Sequence, residues 1–403
     1  MANYQGVCLT APAWRFVNLD IANRLTDHED FAWESQPADL GDLSRKFAPY
    51  LGVPSLAAIA ARSDRWLENS LRPLILLSRA ALDQLTQHWE LPRAIGVCHG
   101  HALPRSIRPL LPLWFERRRD TGLVPVHCVG VPVAAILGWI AGNRAEFPLR
   151  TFIVSGTSQV MEVSAVRASI DAGALSIQMD WTCELSQTET PARWQGKLAR
   201  MVRSLSGKTG GGEWRLDSFS SLPWIVNCLN LLSAEAATAG IKLDSEVRSH
   251  DELELARGAA CHAAFQQTQQ LPNAVFSTLN YADVCVRDVG LMGQGREGQY
   301  WHTLFPAGHP LPAASARLRI RGACPPAFQL FEYTGDGIPS IWNTADEPFL
   351  KQVRWYGSGL LNVPRETQPE CLVIRIPTDS SPDNIPPPRA EVSSATDDEA
   401  DRQ

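Results

Sequence analysis

Thr151-Phe-Ile-Val-Ser-Gly-Thr-Ser-Gln-Val-Met-Glu-Val-Ser-Ala-Val166 is the stretch from which the fold can be read. Thr151 to Val154 and Val160 to Val166 are rich in β-formers, and Ser155-Gly-Thr-Ser between them is turn material. A third run, Ala174 to Met179, follows Asp171-Ala-Gly, so the region predicts a three-stranded meander. On its N-terminal side, Arg93-Ala-Ile-Gly-Val-Cys-His and Val124 to Val129 predict buried strands, with helices at Pro104 to Arg119 and Val133 to Ala141. Leu56 to Trp89 has apolar residues at helical spacing interrupted by Pro73, and the stretch before Pro54 carries only weak strand patterning. On the C-terminal side, helices are expected over Pro191 to Leu205, Leu222 to Ala239 and Asp251 to Gln267, the last opening on the cap-like Ser249-His-Asp-Glu. Gly210-Gly-Gly reads as a connection, since no Lys-Ser/Thr pair follows it to open a phosphate-binding helix.

After Pro272 the pattern changes to short alternating runs divided by Gly and Pro, among them Ala316 to Arg321, Phe328 to Tyr333, Gln352 to Tyr356 and Cys371 to Ile376; such spacing indicates a β sandwich or barrel. From Pro377 to Gln403 the chain carries seven acids against Arg389 and Arg402 and almost no bulky apolar residue, the composition of a disordered acidic tail. Much of the formal net charge of −6 sits there, so the rest lacks the basic face that nucleic acid requires. The nine cysteines are scattered without C-x-x-C spacing, and the start lacks a secretory pattern; both suit a reducing, cytoplasmic setting. Leu123 to Gly142 is twenty residues without a formal charge, but Pro125, His127, Gly130 and Pro132 interrupt it, which argues for core rather than membrane.

This order of elements resembles the seventy-kilodalton heat-shock chaperones (DnaK-like). Ala94-Ile-Gly-Val-Cys-His, Thr121-Gly-Leu-Val-Pro-Val and Pro132-Val-Ala-Ala-Ile-Leu-Gly-Trp are similar to successive strands and the connecting helix of that family's ATPase domain. Ser218-Phe-Ser-Ser-Leu-Pro is similar to its adenosine turn, and Ala256-Arg-Gly-Ala-Ala to its second connecting helix. Asp283-Val-Cys-Val-Arg-Asp-Val, Phe305-Pro-Ala-Gly-His-Pro-Leu-Pro and Phe328-Gln-Leu-Phe-Glu-Tyr-Thr-Gly resemble the linker and strands of its peptide-binding domain. The resemblance implies a reduced α/β actin-like (ribonuclease H-like) ATPase-type domain over 1–275, a linker and first β segment over 276–289, a β-sandwich over 290–376 and a tail over 377–403.

The departures bear on chemistry. Phosphate binding needs close-approaching glycines and a carboxylate that organises Mg²⁺ and water. Where the family has Asp-Leu-Gly-Gly-Gly-Thr-Phe-Asp, this chain has Ser155-Gly-Thr-Ser-Gln-Val-Met-Glu, so the metal-side acid becomes Ser155, the phosphate-side Thr becomes Val160, and only Glu162 keeps a charge. The family's opening hairpin has no clear counterpart, Cys8-Leu-Thr-Ala-Pro being the nearest; the connecting Glu becomes Gly130 or Val131. In the adenosine turn the paired glycines become Asp217 and Ser218, and the adenine-stacking Arg becomes Ser221. Between Asp180 and Trp214 there is room for one helix.

The expectation is therefore a chaperone-related protein acting by protein–protein binding with little or no ATP hydrolysis, as an assembly factor or adaptor. It has no catalytic residues and no metal, and its partner is a protein client. A vestigial nucleotide site would comprise Ser155, Gly156, Thr157, Ser158, Ser218, Ser220 and Ser221, and a peptide groove Leu291, Met292 and Phe305. Two alternatives stand beside it. One is a chaperone that still binds ATP or ADP through altered contacts. The other is a metal or thiol enzyme built on His99, His101, His127 and Cys128, neighbours of the Cys98-His99 and His127-Cys128 pairs.

Overall fold

The structure is a computed structural model. It describes residues 3–9, 14–20, 25–31, 90–100, 111–115, 118–119, 122–156, 160–206, 212–220, 222–269, 271, 276–295, 298–311, 315–319, 327–328, 330–333, 353–355, 361–362, 371–375 and 389–392. They fall into two compact units that divide between Tyr281 and Ala282.

In the first unit, β1 (Asn3–Cys8), β2 (Trp14–Asp20) and β3 (Leu25–Phe31) form an antiparallel meander. The parallel strand β4 (Ala94–His99) lies on the other side of β1. A short ribbon of β5 (Arg118–Arg119) and β6 (Gly122–Leu123) precedes β7 (Val126–Gly130), which pairs parallel with β4 and completes the order β3-β2-β1-β4-β7. Helix α1 (Val131–Ala141) then leads into a second meander, β8 (Leu149–Gly156), β9 (Val160–Asp171) and β10 (Ala174–Ser186). After α2 (Pro191–Ser206), β11 (Trp214–Ser218) pairs parallel with β8. After α3 (Pro223–Thr238), β12 (Leu243–Ser249) pairs parallel with β11, and α4 (Leu253–Thr268) follows. Among these strands the order is β12-β11-β8-β9-β10, the plan of the first sheet repeated. Two such halves in tandem make the ribonuclease H-like, actin-like ATPase-type architecture that the resemblance implied.

The connecting helices cross over. Although α1 leaves the first sheet, its Trp139 stacks on Phe219 and lies beneath Arg215 of the second half. In turn α4 leaves the second sheet and lies on β1 and β4, so closely that a Cβ on Gly96 would sit 1.8 Å from the Ala259 carbonyl oxygen. Where the two helices meet, a Cβ on Gly258 would sit 1.8 Å from the Ala134 carbonyl oxygen. These glycines let backbone touch backbone. All of α1 is buried, as a helix without a polar face must be, so the Val131 to Ala141 part of the uncharged stretch is core, whereas Leu123 at its start is 59% exposed. Among the described residues no helix is long and apolar enough to cross a membrane.

In contrast Gly196, in the middle of α2, has open space where a side chain would be. Gly196→Ala is expected to raise the urea midpoint by the equivalent of about 0.5–1 kcal/mol with an unchanged slope; no rise would mean that α2 frays before the unit unfolds.

Several expectations change. The weakly patterned N-terminal stretch supplies a full meander. Its strands hold Gln5 and Asn18 buried beside apolar neighbours, so strict alternation is lost. Of the stretch Pro104 to Arg119, expected as a helix, Leu111–Trp114 is helical, whereas Arg118–Arg119 are extended, so the helix ends before them. Residues 104–110 lie outside the described residues. The segment Leu56 to Trp89 lies outside the described residues. Among the described residues a single helix, α2, lies between β10 and β11, as expected.

The units divide within β13 (Thr278–Val284), whose Asp283 and Val284 pair with the later Leu311 and Pro310. In the second unit β14 (Val289–Gly295) and β15 (Gly298–Phe305) form a hairpin, followed by β16 (Pro310–Leu311), β17 (Ser315–Arg319), β18 (Ala327–Phe328) and β19 (Phe331–Tyr333). The remaining strands are β20 (Val353–Trp355), β21 (Leu361–Asn362), β22 (Cys371–Arg375) and β23 (Arg389–Val392). All their described pairings are antiparallel. Strand β23 falls inside the stretch read as a disordered tail: Arg389 to Val392 pair with β22, offering Ala390 and Val392 opposite Ile374 and Leu372. The rest of 377–403 lies outside the described residues.

Candidate functional site

In open α/β sheets, ligands gather beyond the carboxyl ends of the parallel strands, where strand order reverses. Here those ends are Cys8, His99, Ser155 with Gly156, and Ser218.

On the first half, β1 ends at Cys8 and the Leu9 amide donates to the Cys98 carbonyl at 2.9 Å. The missing opening hairpin is thus the β1–β2 connection after Cys8, and its residues 10–13 lie outside the described set. Cys8 and Cys98 are register partners and fully buried. Burial pushes the Cys98 thiol well up, and the hydrogen bond with Cys8 pushes it further, so it stays protonated and unreactive. No acid stands on this strand end.

On the second half, Ser155 faces Glu162 across the β8–β9 hairpin, and both are buried. Glu162 accepts from Ser164 Oγ at 3.3 Å, and Ser164 bonds to Thr182 at 2.9 Å, so this carboxylate is embedded among hydroxyls of its own sheet. Gly156 is half-buried; Thr157 and Ser158 lie outside the described residues. In the adenosine-type turn, Ser218 is buried and its Oγ donates to the Ser220 carbonyl at 3.1 Å, while the Ser220 amide returns to Ser218 Oγ at 3.5 Å. The turn closes on itself. Ser221 lies outside the described residues.

Beside it is a feature that the sequence reading missed. Asp217, entirely buried, accepts from Thr151 Oγ1 at 2.6 Å, from Arg215 at 3.0 Å and from His250 Nε2 at 2.7 Å. The other ring nitrogen of His250 lies 3.5 Å from Glu254 Oε2, and the second oxygen of Glu254 accepts from Arg144. Burial alone would raise the Asp217 carboxyl; the bonds from His250 and Thr151 and the charge of Arg215 outweigh it and hold it below the usual range. Burial alone would lower His250; its two carboxylate partners outweigh that and raise it. Glu254 is held low by His250 and Arg144 against its own burial. Phe219, buried, stacks on His250 at 4.9 Å and on Trp139 at 5.8 Å. The turn's Phe219 thus packs into the core against His250 and Trp139, beside the neutralised Asp217. A charged residue inside the buried run Trp214 to Ser218 was the available clue.

The described residues of these turns offer no free carboxylate for a Mg²⁺-nucleotide. The acid that would organise the metal is a buried serine, and Asp217 is already saturated by its own chain. Among the described residues no three His, Cys, Asp or Glu side chains converge as a metal site. His99 and His127 do not meet either: His127 is the register partner of Gly96, whereas His99 pairs with Gly130. His99 Nδ1 bonds the Gly100 carbonyl at 2.8 Å, His127 takes Gln267 at 3.0 Å, and Cys128 is buried. His101 lies outside the described residues. In the second unit, Leu291 and Phe305 are buried, and Met292 sits on β14 opposite Trp301.

No family model matches the sequence, and no curated protein matches it. Solved structures to which the chain is similar include a ROK family protein from Streptococcus pneumoniae TIGR4 in complex with sucrose, at 10% identity over 66% of this chain and 100% of that one, TM-score 0.30. Another is a ROK hexokinase from Thermus thermophilus, at 12% identity over 66% and 100%, TM-score 0.33. A third is the ethanolamine utilization protein EutJ from Carboxydothermus hydrogenoformans, at 10% identity over 64% and 89%, TM-score 0.35. What identifies the architecture in this chain is the repeated strand order and the crossed connecting helices.

Proposed function

We propose that this chain is a degenerate DnaK-like protein that works by binding another protein, an assembly partner or client, with little or no ATP hydrolysis. The observation that carries the reading is the closure of the second half's strand ends: Ser155 and Ser218 are buried, and Asp217 is spent on Thr151, Arg215 and His250. Hydrolysis needs a carboxylate free to organise metal and water, and a phosphate sensor that couples to a second domain. Among the described residues at these strand ends, neither function has a residue placed to perform it. The β unit is then the part that meets the partner, as the peptide-binding domain does in the family the sequence resembles.

Isothermal titration with ATP and Mg²⁺ and a phosphate-release assay test this. The expected results are no saturable heat at millimolar nucleotide and no release above background. Saturable binding without turnover would favour the reading in which nucleotide is held through altered contacts, and turnover would overturn the proposal.

A further inference from the structure

The Asp217–His250–Glu254 chain joins four elements of the first unit. Asp217 belongs to β11, His250 follows β12, Glu254 opens α4, and Arg144, which grips Glu254, follows α1. The His250 amide also donates to the Ser218 carbonyl at 2.8 Å, fixing the ring beside β11. From there α4 runs to its zero-clearance crossing with α1 at Gly258 and Ala134. Several groups face or adjoin the imidazole. They are Asp217 and Arg215 from β11, Glu254 from α4 with Arg144 upon it, and the rings of Trp139 and Phe219 at 5.2 and 4.9 Å. Nearby, Asp251 caps the Leu253 amide at 2.9 Å and Glu252 pairs with Arg15 at 3.5 Å.

An imidazolium has two N–H donors and can serve both carboxylates; a neutral imidazole has one and presents a lone pair to whichever carboxylate it does not serve. Asp217, at 2.7 Å and held by two further donors, is the partner that keeps its bond; Glu254, at 3.5 Å, is the one let go. We infer that His250 is a proton-operated latch: charged, it clamps the first turn of α4 to β11; on losing its Nδ1 proton to solvent, it frees that turn and loosens the crossed helices joining the two halves. Such a device gives a fold without a working nucleotide switch another input.

The test uses the full chain. The His250 ring is titrated by NMR, assigned by its loss in His250→Gln, while amide-exchange protection of residues 254–258 is followed from about pH 5.5 to about pH 9 after correction for intrinsic rates. The expected midpoint lies above that of an ordinary imidazole, and protection of the first turn of α4 falls about tenfold through it. In His250→Gln, protection is low and independent of pH. A midpoint at or below the ordinary value, or the same fall in His250→Gln, would overturn the latch. If that variant does not fold, Glu254→Gln decides: the latch requires the midpoint to drop, and an unchanged midpoint sinks it.

Discussion

Asp217→Ala is expected to destabilise the chain by about 3–5 kcal/mol, the usual consequence of deleting one partner of a buried ionic group. The loss exceeds the hydrogen bonds removed, because Arg215 and His250 remain in place, mostly buried, without the anion that made their burial tolerable. Asp217→Asn keeps an acceptor for Thr151 and is expected to lose less. Urea denaturation at several pH values separates this from a simple cavity. Asp217 and Glu254 are held below the usual carboxylate range, so their contribution is present at neutral pH and lost as pH falls through their folded values. His250 is raised, so its contribution is complete below the ordinary imidazole value and lost as pH rises through the folded one. Wild-type stability should therefore peak in weak acid, between the two losses. Asp217→Ala should flatten both slopes; a penalty that is the same at every pH would show that packing, not charge, holds the site.

The second large effect belongs to the helix crossing. Gly258→Ala adds only a methyl group, yet that carbon would stand 1.8 Å from the Ala134 carbonyl oxygen, backbone that cannot turn aside. Overpacking of this kind costs about 1–3 kcal/mol and sits here at the upper end, about 3 kcal/mol net of the helix propensity that alanine brings. Gly96→Ala meets the Ala259 carbonyl at the same 1.8 Å and should behave alike. A shift in urea midpoint opposite to that of Gly196→Ala is the decisive comparison. If Gly258→Ala were neutral, α1 and α4 would have to slide apart freely, and the tight crossing would not be a constraint.

What could be read beforehand follows from how each element is buried. The meander from β8 to β10 was legible because Ser155-Gly-Thr-Ser and Asp171-Ala-Gly punctuate β-rich runs, and α2 through α4 because caps and prolines mark their ends. β1 and β2 were not, since both faces are covered and the period-two signature disappears. The phosphate-type turns could be judged deficient from Ser155 and Ser218 alone. What replaced them could not. Asp217 and His250 lie 33 residues apart and Arg144 and Glu254 110 apart, so their meeting depends on β11, β12 and the crossed helices being in place. Read locally, Ser249-His-Asp-Glu is a helix start; only the fold makes His250 a junction.

The wholly buried α1 has a bearing on how the chain is made. Its cover comes largely from α4, and Arg144, just past its end, must await Glu254, 110 residues later. At ribosomal speeds of about 5–20 residues per second, this apolar strut waits for roughly 5 to 20 seconds before α4 is made. The interval in which the molecule is most prone to wrong contacts is thus fixed by topology rather than by sequence near the helix. Early termination anywhere between β8 and α4 would release a fragment whose stickiest segment has no mate.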